Sequence, residues 1–372
     1  MSRWWLSTVL AAFAGFGGPG HLAAEQVINP DEITIVFARL ESEGNLGRNV
    51  ETVLSLQLAQ TGRRAPWPDN PEGHDFNQAT VVWTDDKLET QTHDAAETLA
   101  RAFDVTAQIA IWGQTYSYGG SVLADLNVTL PRYARPGEDC RSVAFSCDFR
   151  QANFETWAVT TGDSTLRVGP PRRRFAVSAI TLKPEIVDQF TSAEGLPIRS
   201  GISGGNVLGY TERALLFLEF NPGMTGAPSK VKSGAVTGYV TLPELTQGVS
   251  EFSDLVGGIM RVFRGDWAFA ERSFRQVLDN PASRLPTRVD AHLYLGMILA
   301  RTGSADEAIR HLEQARAMAP YSRVALQYLV QGYLTEGSDN ALSRASDALA
   351  KSQRLFPPDD IWFATASEIL LR

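Results

Sequence analysis

The chain has little of the chemistry that marks an active site. Only two cysteines and five histidines occur in 372 residues, a thin supply for a metal cage or a Cys–His nucleophile pair. No HExxH, GxSxG or phosphate-loop pattern is present. His21 lies within the leader-like first 24 residues, which leaves His74, His93, His292 and His311. Asp85-Asp86 follows a strand, where ligand sites occur in α/β folds, but adjacent acids in a loop are ordinarily solvent contacts. Gly119-Gly120 and Gly204-Gly205 read as turns rather than phosphate cradles. The expected catalytic, cofactor-binding and metal-binding sets are therefore empty. Net positive charge is also lacking. The formal net charge of −8 argues against nucleic acid or an anionic membrane as the main partner. Beyond residue 24, no apolar run approaches the roughly 20 residues a spanning helix needs.

The first residues read as a targeting segment. Arg3 supplies the positive start, Trp4–Phe16 the apolar run, and Gly17-Gly18-Pro19-Gly20 the break. Leu22-Ala23-Ala24 then offers small residues for cleavage before Glu25. Residues 1–24 are thus expected to be a signal peptide, and the mature chain to be periplasmic with no membrane span. Cys140 and Cys147 lie in GEDCRSVAFSC. In an oxidising compartment they read as one local disulfide, worth about 2–3 kcal/mol by chain entropy. A metal pair or redox thiols would need CxxC spacing or a nearby His, and neither is there.

The length implies more than one domain, and three segments differ in pattern. Residues 25–190 are mixed α+β. Ile33–Leu40 and Ala79–Thr84 read as strands. Asn49 is a candidate cap for a helix to Gln60, and Thr92 or Asp94 for a second. Ala107–Tyr116 and Ser121–Leu130 read as a hairpin turning at Tyr118-Gly119-Gly120. The phrase AQIAIWGQTYSYGGSVLADLNV, with the order around it, resembles the amino-terminal domain of TolB-like envelope proteins. Beyond Pro131, Phe154–Val159, Leu166–Val168 and Phe175–Leu182 suggest added strands. Arg172-Arg173-Arg174, the densest positive run, reads as a solvated loop rather than a binding patch.

Residues 191–247 carry short apolar runs between Gly-rich turns, the pattern of a small all-β barrel. Pro197-Ile198-Arg199-Ser200-Gly201, Val207-Leu208-Gly209 and Thr237-Gly238-Tyr239-Val240 resemble the opening, second-strand and closing phrases of the bacterial SH3 domain. Tyr239 stands where that family usually has Trp. The resemblance implies a ligand-docking barrel, with peptidoglycan as one ligand.

Residues 250–372 are helical in pattern. The sharpest stretch is Val289–Ser322. Leu293, Leu295, Ile298 and Leu299, then Ala308, Ile309, Leu312 and Ala315, recur at helical spacing on either side of Thr302-Gly303-Ser304. Leu295-Gly296, Ala308, Leu312, Ala315 and Pro320 fall on positions that resemble the tetratricopeptide repeat. Small residues there let two helix backbones approach. Gly258, Ala270 and Phe274 suggest a preceding copy, and Leu329, Tyr333, Ala345, Leu349 and Pro357 a following one. Asp360–Leu371 fits a capping helix, so three units and a cap would suffice for a small solenoid. The resemblance implies a protein or peptide partner. Candidate anchors are Trp267, His292, Tyr294, Tyr328 and Tyr333, with Tyr239 in the barrel. For His292 and His311, packing or surface outweighs a ligand pair. The expected whole is a non-enzymatic exported adaptor of a bacterial envelope. The alternatives are a wall-binding module, or an enzyme with a site hidden in Cys140–Phe190.

Overall fold

The computed structural model describes residues 33–61, 79–103, 108–131, 157–182, 197–210, 214–219, 228–241 and 250–371, apart from 45, 85, 86 and 234, together with 184 and 187. The leader, the Cys140–Cys147 loop, His74 and Asp85-Asp86 lie outside the described residues.

The amino-terminal half begins with β1 (Ile33–Phe37), α1 (Leu46–Thr61), β2 (Ala79–Trp83), α2 (His93–Phe103), β3 (Ile109–Tyr118) and β4 (Ser121–Thr129). β1 pairs in parallel with both β2 and β3, and β4 returns antiparallel to β3 through Gly119-Gly120. Both turn glycines have positive φ, which suits a two-residue hairpin turn. Successive strand side chains point to opposite faces. Ile35, Phe37, Ile109 and Ile111 accordingly pack on one side with α1, and Val36, Ala38, Ala110 and Trp112 on the other with α2. Apolar residues at both parities are what a sheet covered on both faces requires. Helix α1 starts earlier than Asn49 would have it. Ser42 Oγ accepts from the Gly47 amide at 2.9 Å, so the cap comes from upstream and Asn49 is buried inside the helix. Thr92 does cap α2, its hydroxyl accepting from the Ala95 amide at 3.2 Å.

Three further strands follow: β5 (Trp157–Thr161), β6 (Ser164–Val168) and β7 (Arg174–Leu182). β7 joins the sheet beside β4, whereas among the described strands β5 and β6 pair only with each other. Next come β8 (Pro197–Gly201), β9 (Gly204–Tyr210), β10 (Ala214–Glu219), β11 (Pro228–Ser233) and β12 (Val236–Thr241). They do not close into a barrel among the described residues. β10 gives its second edge to β2, with Ala214 opposite Val82 and Leu215 opposite Val81. The result is one ten-stranded sheet in the order β7-β4-β3-β1-β2-β10-β11-β12-β8-β9.

The carboxy-terminal half is helical: α3 (Ser250–Arg264), α4 (Trp267–Asp279), α5 (Leu285–Arg301), α6 (Ala305–Met318), α7 (Arg323–Glu336), α8 (Asp339–Lys351) and α9 (Ile361–Leu371). Consecutive helices pack as pairs, and α3 also lies against α1. Close approach is set by small residues. A Cβ on Gly296 would lie 2.3 Å from Leu312 Cδ2, and one on Gly258 2.7 Å from the Phe274 ring. Ser322 and Ser338 cap α7 and α8 through the amides of Ala325 and Ala341. One continuous apolar core runs from the inner face of the sheet into the helices. No described helix is long and apolar enough to cross a membrane.

Candidate functional site: the hairpin-side face of the helical repeats

Helices α7 and α9 pack on the β5–β6 hairpin, and α5 meets the segment that follows it. Three polar residues at these contacts are buried or nearly so. Gln331 is fully buried, and its Nε2 donates to the main-chain carbonyls of Trp157 and Leu166 at 3.0 and 3.2 Å. Tyr328 donates its hydroxyl to the Gly169 carbonyl at 2.7 Å, and its ring meets the Trp157 indole edge-on at 5.7 Å. Asp290 stands 3.4 Å from Arg172 Nη1. The carboxylate is buried, the guanidinium partly exposed. Burial pushes the Asp290 carboxyl up to about 7 despite the pull of Arg172. The hairpin itself buries Trp157, Leu166 and Val168 against the helices.

The triple arginine is thus a set of tethers. Arg172 faces Asp290, Arg173 donates to the Pro131 carbonyl at 3.4 Å, and Arg174 pairs with Asp94 on α2. Together Pro170–Arg174 form a strap from the hairpin to the main sheet. A cavity of about 530 Å³ lies beside it, lined by Arg172, Leu285, Val289, Leu293 and Val324.

Residues 289–332 match the tetratricopeptide-repeat family. The match covers most of α5, all of α6 and the first ten residues of α7, the helices that carry Asp290, Tyr328 and Gln331. No curated protein matches the chain. A tetratricopeptide unit points to binding protein rather than to catalysis.

Within and around the matched unit, the candidate anchors are mostly packed away. Tyr294 is fully buried and stacks flat on Phe274 at 4.6 Å. Tyr328 is buried against the hairpin, as described. Tyr333 donates its hydroxyl to Glu313 Oε1 at 2.7 Å beneath the Arg344 guanidinium. Trp267 is half-buried under Arg301, 5.0 Å from guanidinium carbon to ring centroid. Tyr239 sits half-buried on β12 opposite Lys230 and Arg199. His292 and His311 do meet, Nδ1 to Nδ1 at 2.9 Å. Burial, then the charges of His311 and Arg288, pushes His292 down to about 4, and burial with Arg275 lowers His311. Among the described residues no three His, Cys, Asp or Glu side chains are placed to hold a metal ion.

Gln331, Asp290 and Trp157 were not singled out by sequence. A buried Gln in an apolar helix was the available signal, since an amide inside a core needs partners. Elsewhere, a cleft of about 540 Å³ is lined by His93, Gln114, Asp125, Asn127 and Arg174. At its wall His93 Nδ1 and Trp112 Nε1 meet the Thr129 hydroxyl at 2.8 and 2.9 Å.

Proposed function

We propose that the chain is an exported, non-catalytic adaptor of a bacterial envelope that binds protein through its helical repeats. The observation that carries this reading is the tetratricopeptide match on α5–α7, set in stacked helix pairs that meet through Gly258 and Gly296. The leader-like residues 1–24 support export, and the Cys140–Cys147 spacing supports a disulfide in an oxidising compartment. The order β1-α1-β2-α2-β3-β4 supports the TolB-like reading of residues 25–190. The pairing of β8 with β9 and β12, and of β11 with β10 and β12, supports an SH3-like unit at 191–247. Crosslinking with mass spectrometry on the protein in its own cells tests the adaptor. Crosslinks from α3–α9 to one or a few envelope proteins are expected, and crosslinks only within the chain count against it.

One observation favours peptidoglycan as a second ligand. Leu208 and Tyr210 lie on one face of β9 and are exposed, as is Ile202 in the β8–β9 turn, apolar surface of the kind that marks a binding site. Co-sedimentation of the full chain with purified wall, lost in L208S/Y210S, is the expected result. Equal sedimentation of both proteins removes this reading.

A further inference from the structure

The β5–β6 hairpin pairs with no other described strand, and a lone two-stranded hairpin is marginal in water. Its order comes from the helices beneath it. The hairpin gives two carbonyls to Gln331 and an indole edge to Tyr328 and also packs on α9, and the segment after it gives the Gly169 carbonyl to Tyr328 and the Arg172 guanidinium to Asp290. Its outward residues Ala158, Thr160 and Arg167 are exposed. Main-chain carbonyls occur in every extended segment, so the face reads a strand bearing an aromatic residue and a downstream arginine. The match with its occupant is also incomplete. Gln331 Oε1 is buried and accepts no hydrogen bond among the described residues. A ligand donating an N–H there would satisfy a group the hairpin leaves unmet. The cavity beside the strap opens at the Arg172–Asp290 end of the face, where an entering segment could first compete with the strap.

We propose that residues 157–174 are a resident ligand that closes the protein-binding face of α5 and α7, and that a partner segment of like chemistry binds by displacing them. This rests on reading the repeats as a protein-binding unit, and names the segment they take. The geometry assigns recognition to Gln331, Tyr328 and Asp290, with Trp157 and Arg172 as the internal mimic.

The test uses the full chain and a fluorescently labelled synthetic peptide of residues 157–174, followed by anisotropy. Trp157→Ala with Arg172→Ala weakens the resident hairpin and leaves the face intact. This double variant is expected to bind the peptide at least about tenfold more tightly than the unaltered chain. Adding Gln331→Ala should abolish that gain. Equal binding by both proteins, or binding by neither, overturns the proposal. If the double variant loses its helical circular dichroism, hydrogen exchange on the unaltered chain decides. Amides of β5 and β6 are expected to exchange through an opening that leaves α5 and α7 protected. Exchange of hairpin and helices together at one rate overturns it. A missing envelope partner would defeat the adaptor reading while leaving peptide binding unchanged, so the two fail separately.

Discussion

Gln331 and Trp157 are joined by a buried hydrogen bond across 174 positions of the chain. The amide sits on a helix of the repeat region, the carbonyl on a hairpin that belongs by sequence to the amino-terminal half. This contact, with its twin to Leu166, ties the hairpin to the repeat helices, alongside the α1–α3 packing and the shared apolar core.

Gln331→Ala should therefore weaken the whole chain. It strips two carbonyls of a buried donor, at a cost of about 2–3 kcal/mol. Urea unfolding checks the stability, and faster amide exchange in β5 and β6 checks the location. Unchanged exchange in the hairpin would place the loss elsewhere.

Gly296→Ala drives a methyl against Leu312, whose Cδ2 lies 2.3 Å from the Cβ position. Overpacking of this kind costs about 1–3 kcal/mol. Leu312→Val in the same chain should return part of it, and a double-mutant cycle measures the coupling. Additive losses would mean the two residues do not meet.

Asp290 and His292 should give the chain opposite pH slopes. The folded Asp290 carboxyl titrates at about 7 against a usual 3.8, so the folded state holds its proton more tightly. Its contribution is complete below pH 3.8 and is lost as pH rises to 7, by on the order of 4 kcal/mol. Asp290→Asn is thus expected to melt higher than the unaltered chain at pH 8 and equally at pH 4. A lower melting temperature at pH 8 would mean the Arg172 pair outweighs burial.

His292 titrates at about 4 when folded against 6.5, so its contribution is complete above pH 6.5 and is lost as pH falls toward 4. His292→Asn should flatten that acid arm, read as melting temperature between pH 7 and 4.5. An arm as steep as before would assign the acid loss to other groups.

Ser338→Ala removes the hydroxyl that accepts from the Ala341 amide at 3.2 Å. A loss of about 1 kcal/mol is expected, with helix α8 exchanging faster and the hairpin unaffected. Exposed Tyr321 is the control, since Tyr321→Ala should leave stability unchanged.

Much of the local structure was legible in sequence. The repeat around Gly296 showed itself because helical periodicity, a glycine break and small residues at contact positions are all encoded within a few turns. The strands of the sheet and the Gly119-Gly120 turn were readable for the same reason. The α1 cap was missed because Ser42 reaches it from outside the apolar pattern that pointed to Asn49.

Tertiary structure alone decided two matters. One is the joining of β10 to β2, which runs one sheet through both β segments where an independent barrel was expected. The other is the packing of Trp157, Leu166 and Gly169 against Tyr328 and Gln331 of α7. The sheet joint and the bonds to Gln331 and Tyr328 are made by backbone groups, which every residue carries, so no side-chain pattern announces which strand or carbonyl will meet them. The apolar code fixes which faces are buried; which distant strand or carbonyl meets them depends on the packed whole.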